Sequence, residues 1–268
     1  MGNTPLGLAA CCGDEEAVEK LLGQDDTNVN EPNKWGQTPL WFAARNGHGE
    51  VVRILLRRGD VDLNKSDKKG TTPLLCAARY GHAVVVEILL GQSNIDPNIQ
   101  DNEGRTPLQC AAQNGHAGVV KILLRRVNIE PDKPDHAGQT PLWNAAANGH
   151  AGVVKLLLGR ASVNPNAHDN RGQTPLLCAA LNGHAGIVEI LLRRAVVDPN
   201  AHDNRGQTPL LCAARNGHVG MVELLLGRKD IGPSIPDNQG RTPLSYAISN
   251  KHVRVERILL KREDVNLS

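Results

Sequence analysis

Residues 165–180 and residues 199–214 both read PNAHDNRGQTPLLCAA, sixteen identical residues separated by an interval of 34. The Thr-Pro-Leu inside that phrase recurs along the whole chain, with its threonine at Thr4, Thr38, Thr72, Thr106, Thr140, Thr174, Thr208 and Thr242. Ala-Ala follows in seven of the eight copies, then Asn-Gly-His or a close variant, then a Val-Val-x-Ile-Leu-Leu run. A fixed period of this length means stacked copies of one supersecondary unit, each burying its apolar face against its neighbours.

Each unit reads physically. Thr38 suits an N-cap and Pro39 a first helical turn, where its missing N–H costs nothing. Leu40 to Ala44 continue a short first helix, and Gly47 stands where a left-handed C-terminal residue is needed. Val51, Val52, Leu55 and Leu56 then share the buried face of a second helix. The polar, Gly-containing stretch from Asp60 to Gly70 predicts a projecting turn or hairpin.

Helix, turn, helix, hairpin with Gly-x-Thr-Pro-Leu-x-x-Ala-Ala-x-x-Gly-His, as in Gly138 to His150, and a closing Leu157-Leu158 resembles the ankyrin repeat. The resemblance covers essentially all 268 residues. It implies an all-α ankyrin-repeat solenoid of eight helix-turn-helix units with projecting β-hairpin loops, forming one domain, with repeats at 1–33, 34–67, 68–101, 102–135, 136–169, 170–203, 204–237 and 238–268. Two departures stand out: the unit carries one extra residue, in segments such as Val197 to Asn200, and no copy has the histidine that usually follows Thr-Pro-Leu. Such units are similar to those in long arrays of fungal multidomain proteins, including NOD-like receptors.

Composition agrees with many thin layers. Apolar content is 40% but aromatics only 2%, so burial falls to Leu, Ile, Val and Ala. A net charge of +2 argues for neither nucleic acid nor membrane as partner, and no apolar run approaches the roughly 18 residues of a membrane span. LGLAACC near the start lacks a basic flank and makes a poor signal peptide. A soluble, cytoplasmic monomer is expected, with the nucleus as the alternative compartment.

The residues capable of chemistry obey the period. His48, His82, His116, His150, His184, His218 and His252 all begin the second helix, where they are expected to hydrogen-bond backbone at the helix start. His136, His168 and His202 lie in hairpins. Layers spaced by about 8–10 Å keep His168 and His202 from sharing one metal, whose ligands lie about 2.0–2.3 Å away. Cys76, Cys110, Cys178 and Cys212 precede Ala-Ala as packing residues. A disulfide needs Cα atoms within about 7 Å, so these four, with Cys11 and Cys12, are read as reduced thiols. Phosphate loops, HExxH and CxxC are missing from the sequence, so neither catalysis, cofactor nor metal is expected.

Function is therefore sought where copies differ. One variable row follows Thr-Pro-Leu (Gly7, Trp41, Leu75, Gln109, Trp143, Leu177, Leu211, Ser245). A second lies four residues on (Cys11, Arg45, Arg79, Gln113, Ala147, Leu181, Arg215, Ser249). At i and i+4 the two rows share a helix face, which by the resemblance lines the concave groove. The hairpin row includes Lys34, Trp35, Lys68, Lys69, Glu103, Arg105, Arg171, Arg205 and Gln239. A protein partner is expected to contact Trp35, Trp41, Arg45, Leu75, Arg79, Tyr80, Gln109, Trp143, Leu177, Leu181, Leu211 and Arg215, since exposed Trp, Tyr and Arg compose binding hot spots. The competing reading is that Trp41 and Trp143 fill space left by the missing histidine. Phe42 is read as core.

Residues 1–33 carry seven acids and one lysine, a net of −6, leaving +8 on the remainder. Arg57, Arg125 and Arg193 alternate with Gly23, Gly91, Gly159 and Gly227 at the end of helix two, as a 68-residue double unit would. Glu256, Arg254 and Arg257 suggest a polar C-terminal cap. Gly2 already occupies the motif glycine, so a fragment of a longer protein is expected. The alternative function is accordingly a regulatory or sensing C-terminal repeat region of a larger enzyme or immune-receptor-like protein.

Overall fold

The computed structural model describes residues 2–262, and sixteen α-helices lie among them. Two compact units divide the chain after His136. The first contains α1 (Pro5–Cys12), α2 (Glu15–Leu22), α3 (Pro39–Asn46), α4 (Gly49–Leu56), α5 (Pro73–Tyr80), α6 (Ala83–Leu90), α7 (Pro107–Gln113) and α8 (Ala117–Leu124). The second contains α9 (Pro141–Ala147), α10 (Ala151–Leu158), α11 (Pro175–Leu181), α12 (Ala185–Leu192), α13 (Pro209–Arg215), α14 (Val219–Leu226), α15 (Pro243–Ser249) and α16 (Val253–Leu260). Odd-numbered helices pack on odd-numbered neighbours and even on even within each unit, as in an ankyrin solenoid.

Local chemistry starts every first helix. The threonine before each first helix accepts the N–H three residues on, as Thr38 does from Trp41 at 3.1 Å, which satisfies a donor with no partner inside the helix. Proline follows at the first turn. The core is built from the Leu of Thr-Pro-Leu, the Ala pair and the helix-two aliphatics: Leu74, Ala77, Ala78, Val85, Val86 and Leu89 are all 1% exposed or less. Alanine pairs let adjacent first helices approach closely, so little bulky aromatic filler is required. Phe42 is core, packed edge-on against Trp41 with centroids 5.4 Å apart.

Gly47 ends α3 in the left-handed region at φ 79°. A Cβ there would lie 2.5 Å from His82 Nδ1 in the next layer, so the site excludes side chains for two reasons, backbone strain and the neighbouring ring. The histidines start the second helices but make no side-chain cap of their own helix. Within the units, five of them reach the previous layer's first helix through Nε2 instead: His48 to the Cys11 carbonyl (3.0 Å), His82 to Arg45 (2.8 Å), His116 to Arg79 (2.9 Å), His184 to Ala147 (3.2 Å) and His252 to Arg215 (3.0 Å). This corrects the expectation of a bond at their own helix start. The ring stands across the layer boundary, beside the bare glycine.

The loops are hairpins in path, although no β-strand forms among the described residues. Asp67 N–H donates to the Thr71 carbonyl and Gly70 N–H to the Asp67 carbonyl. Within each unit the next hairpin adds one bond, for example Lys68 N–H to the Trp35 carbonyl and Asn204 N–H to the Arg171 carbonyl. The extra segment of the unit supplies a clamp. The Asn200 amide donates to the Asp230 carbonyl at 2.7 Å and accepts from Gly232 N–H at 2.8 Å, and Asn98 does the same with Asn128 and Glu130.

The last layer is only partly polar. Arg254 and Arg257 are exposed as expected and Glu256 is half-buried, but Ile248, Val253 and Leu260 are exposed beside them. Lys251 there takes φ 59°, the position held by glycine in earlier repeats.

The glycine and histidine of successive layers are expected to be energetically coupled. Gly47→Ala should cost more than the roughly 1–2 kcal/mol of left-handed strain alone. In the His82→Ala background its cost should fall toward that strain value. A double-mutant cycle on urea unfolding checks this, and additive costs would show that ring and glycine act independently.

Candidate functional site

The two variable rows of helix one separate in space. In the row after Thr-Pro-Leu, Trp41 is 5% exposed, and Leu75, Gln109, Leu177 and Leu211 are completely buried. The indole N–H of Trp41 donates to the Thr71 carbonyl (3.1 Å), and that of the half-buried Trp143 donates to the Gln173 carbonyl (2.8 Å). Each carbonyl belongs to the residue just before the next layer's capping threonine, so the next loop lies over the first turn of helix one. That overlay corrects the expectation that Trp41, Leu75, Gln109, Leu177 and Leu211 face a groove. They sit between layers, and the tryptophans tie one layer to the next.

The row four residues on lies beyond the overlying loop and stays accessible. Arg45 is exposed, while Arg79, Leu181 and Arg215 are half-buried. In the first unit the Arg45 guanidinium lies 5.7 Å from the Trp41 ring centre and 5.4 Å from that of Tyr80, distances at which a cation is attracted by the ring faces. Tyr80 and Trp35 are about half exposed, and the Lys34 ammonium sits 4.3 Å over the Trp35 ring. Arg79 and Arg105 both reach the buried Asp101 Oδ2, at 3.0 and 2.8 Å. An open recess of about 470 Å³ lies beside them, lined by Arg79, Tyr80, Arg105, Gln113, Asn114 and His116.

The second unit repeats the arrangement with other partners. Asp237 is buried at the turn of the last hairpin. Its Oδ1 accepts the N–H groups of Gln239 and Arg241, and its Oδ2 accepts the Arg241 guanidinium and the Tyr246 hydroxyl. Burial pushes the Asp237 carboxyl up, but those donors outweigh it and hold it at about 2. Two open recesses of about 470 and 460 Å³ adjoin here, and both are lined by Arg205 and Arg215.

The hairpin aspartates and clamp asparagines were not singled out in the sequence, although their signal was present. Asp67, Asp101, Asp135, Asp169, Asp203 and Asp237 recur five residues before the threonine, and Asn30, Asn64, Asn98, Asn166 and Asn200 eight before it. Among the cysteines, Cys76, Cys110, Cys178 and Cys212 are buried. Burial pushes all four thiols up, Cys212 to about 11, which keeps them protonated and weakly nucleophilic.

Comparison with known proteins agrees with this architecture. The family model described as "Ankyrin repeats (3 copies)" matches residues 6–101, 59–135, 86–166, 127–203 and 193–268. The chain therefore belongs to the ankyrin repeat family. Among solved structures it is similar to the ankyrin repeat domain of Bcl-3, described as a unique member of the IkappaB protein family, with a TM-score of 0.71 and 27% identity over 84% of this chain and 99% of that one. Among curated proteins none matches significantly. No described helix is long and apolar enough to cross a membrane.

Trp41→Ala is expected to lower stability by about 3–5 kcal/mol, the cost of emptying a buried aromatic site. Trp41→Phe should cost about 1–3 kcal/mol, because the Thr71 carbonyl loses its donor. Chemical denaturation reads both, and a loss within 0.5 kcal/mol for Trp41→Ala would contradict the buried, bonded indole.

A second expectation concerns acid. The folded Asp237 carboxyl lies below its unfolded value of about 3.9, so its contribution is complete above that pH and is lost as pH falls toward about 2. Asp237→Asn should therefore destabilise the protein at neutral pH and flatten the decline between pH 4 and 2. Urea midpoints measured against pH check this.

Proposed function

We propose that this chain is a protein-binding module whose contact surface is formed, in each unit, by hairpin tips and the C-terminal ends of the first helices. One observation carries the reading: these are the positions that both differ between repeats and remain accessible. Trp35, Arg45, Arg79, Tyr80, Leu181 and Arg215 belong to this surface, and the partly covered Trp143 adjoins it. Exposed aromatic and arginine side chains on a rigid frame are suited to carry binding energy. The Arg45 guanidinium is pre-positioned by two rings, so less side-chain entropy is lost when a partner docks.

Binding without catalysis is the reading the side chains favour. Imidazoles that would serve as acids or bases are engaged with backbone carbonyls. The thiols of Cys76, Cys110, Cys178 and Cys212 are buried, and burial keeps them protonated. Membership of a family whose solved relative belongs to the IkappaB proteins is consistent with a protein partner.

Photo-crosslinking tests the surface. A benzophenone amino acid replacing Tyr80 or Leu181 should give one discrete protein adduct in a cell extract, and the same group replacing Glu87 or Glu223 on the outer face of helix two should give none. Adducts from the helix-two positions, or from neither set, would overturn the proposal.

A further inference from the structure

The second unit holds an arginine, Arg215, whose first-unit counterpart Arg79 is neutralised. In the first unit Arg79, at the end of α5, crosses to Asp101 in the next layer, 22 residues on, and also meets Cys110 Sγ at 3.6 Å. Arg215, at the end of α13, is the equivalent residue, and Asp237 is the equivalent carboxylate. There Tyr246 replaces the cysteine, and its hydroxyl takes Asp237 Oδ2 at 2.9 Å while Arg241 takes the same oxygen at 2.9 Å. The Arg215 side chain is left with no hydrogen bond or ion pair among the described residues. Arg171 and Arg205, exposed on successive hairpins, make none either. Gln173 and Gln207 stand before the threonines where the paired Arg105 and Arg241 stand elsewhere.

The acids in these recesses are not offered to a ligand. Asp203 is 4% exposed and its Oδ1 accepts the N–H groups of Arg205 and Gln207, both at 2.9 Å. Asp237 is 5% exposed and engaged as described. The accessible rim therefore presents guanidinium forks, which match carboxylates in bidentate geometry. Aromatic stacking, which single-stranded nucleic acids use, has no platform: the only ring lining the two recesses is Tyr246, which is 9% exposed and lies under the Arg241 guanidinium at 4.6 Å. A peptide fits the chemistry better.

Spacing narrows the ligand further. The recesses repeat from one layer to the next, and helical layers lie about 8–10 Å apart. An extended chain rises about 3.3 Å per residue, so three residues span one layer.

We infer that the second unit binds an extended acidic protein segment carrying a carboxylate at every third residue, one at the Arg171–Arg205–Arg215 recess and the next at the Arg205–Arg215–Arg241 recess. This rests on the protein-binding reading and names the chemistry of the partner.

The test uses the full chain and fluorescein-labelled peptides read by anisotropy. A peptide with glutamate at every third position, separated by Gly-Ser, should bind more tightly than one of the same composition with its glutamates contiguous, and its glutamine counterpart should not bind. Arg205→Gln with Arg215→Gln should weaken binding at least tenfold, whereas Lys121→Gln with Lys155→Gln, equal in charge change but on second helices, should leave it within twofold. Added salt should weaken it, as for any steered charge pairing. Absence of peptide binding, indifference to spacing, an unchanged affinity in the double arginine variant, or arginine-dependent binding of oligouridine instead would each overturn the inference. Failure here with adducts still formed at Tyr80 and Leu181 leaves the protein-binding surface standing; loss of those adducts removes both.

Discussion

Within each unit, the carbonyl at the end of a first helix is the group around which neighbouring layers are organised. A helix leaves its last carbonyls without internal partners, and here the next layer supplies one. His82 reaches Arg45, His116 reaches Arg79, and in the second unit His252 reaches Arg215, where the Asn250 amide adds a second bond at 2.8 Å. For the ring to come that close, the residue two after that carbonyl in the preceding layer must lack a side chain, so the left-handed glycine of one layer and the histidine of the next are a single device split across 35 residues, as in Gly47 and His82. An arginine completes the scheme on the second helix: Arg228 donates to the Leu192 carbonyl at 2.7 Å, and Arg262 to the Leu226 carbonyl at 2.7 Å. Within each unit a layer thus closes its predecessor's open backbone, and apolar burial falls mainly to Leu, Ile, Val and Ala.

Much of this was legible in the one-dimensional pattern, and what was not has a definite cause. The 34-residue period, the threonine caps, the proline starts and the glycine stops are local, and a local rule reads them. The fate of the row after Thr-Pro-Leu is not local. The i, i+4 relation places Trp41 and Arg45 on one helix face correctly, but it carries no information about the loop from the next repeat. That loop covers the first turn and stops short of the last, so Trp41 is buried and Arg45 is not. The same limit explains the histidines: their phase was evident, while the carbonyl they meet, 37 residues earlier, belongs to another layer. The hairpin aspartates were visible as a periodic residue but lacked a role until their oxygens were seen to hold the turn.

Burial of the variable row also changes what variation between repeats means. A position differs among copies either because it touches something outside the array or because it adjusts the fit between two layers. Trp41 and Trp143, each donating to the next loop, belong to the second kind. Leu75, Leu177 and Leu211 fill the same interlayer place without a donor. Candidate contact residues must therefore satisfy variability and accessibility together, and that leaves the hairpin tips and helix-one ends.

The two kinds of position are nevertheless connected. Position 110 is a cysteine and its counterpart 246 a tyrosine, and neither is exposed to a partner. Yet the tyrosine hydroxyl holds the carboxylate oxygen whose counterpart in the other unit is taken by an arginine two helices earlier. Where the buried residue is cysteine, Arg79 is neutralised, and where it is tyrosine, Arg215 is left available on the accessible side. In an array of near-identical repeats, whether an outward arginine is neutralised goes together with which inward side chains hold the carboxylate beside it.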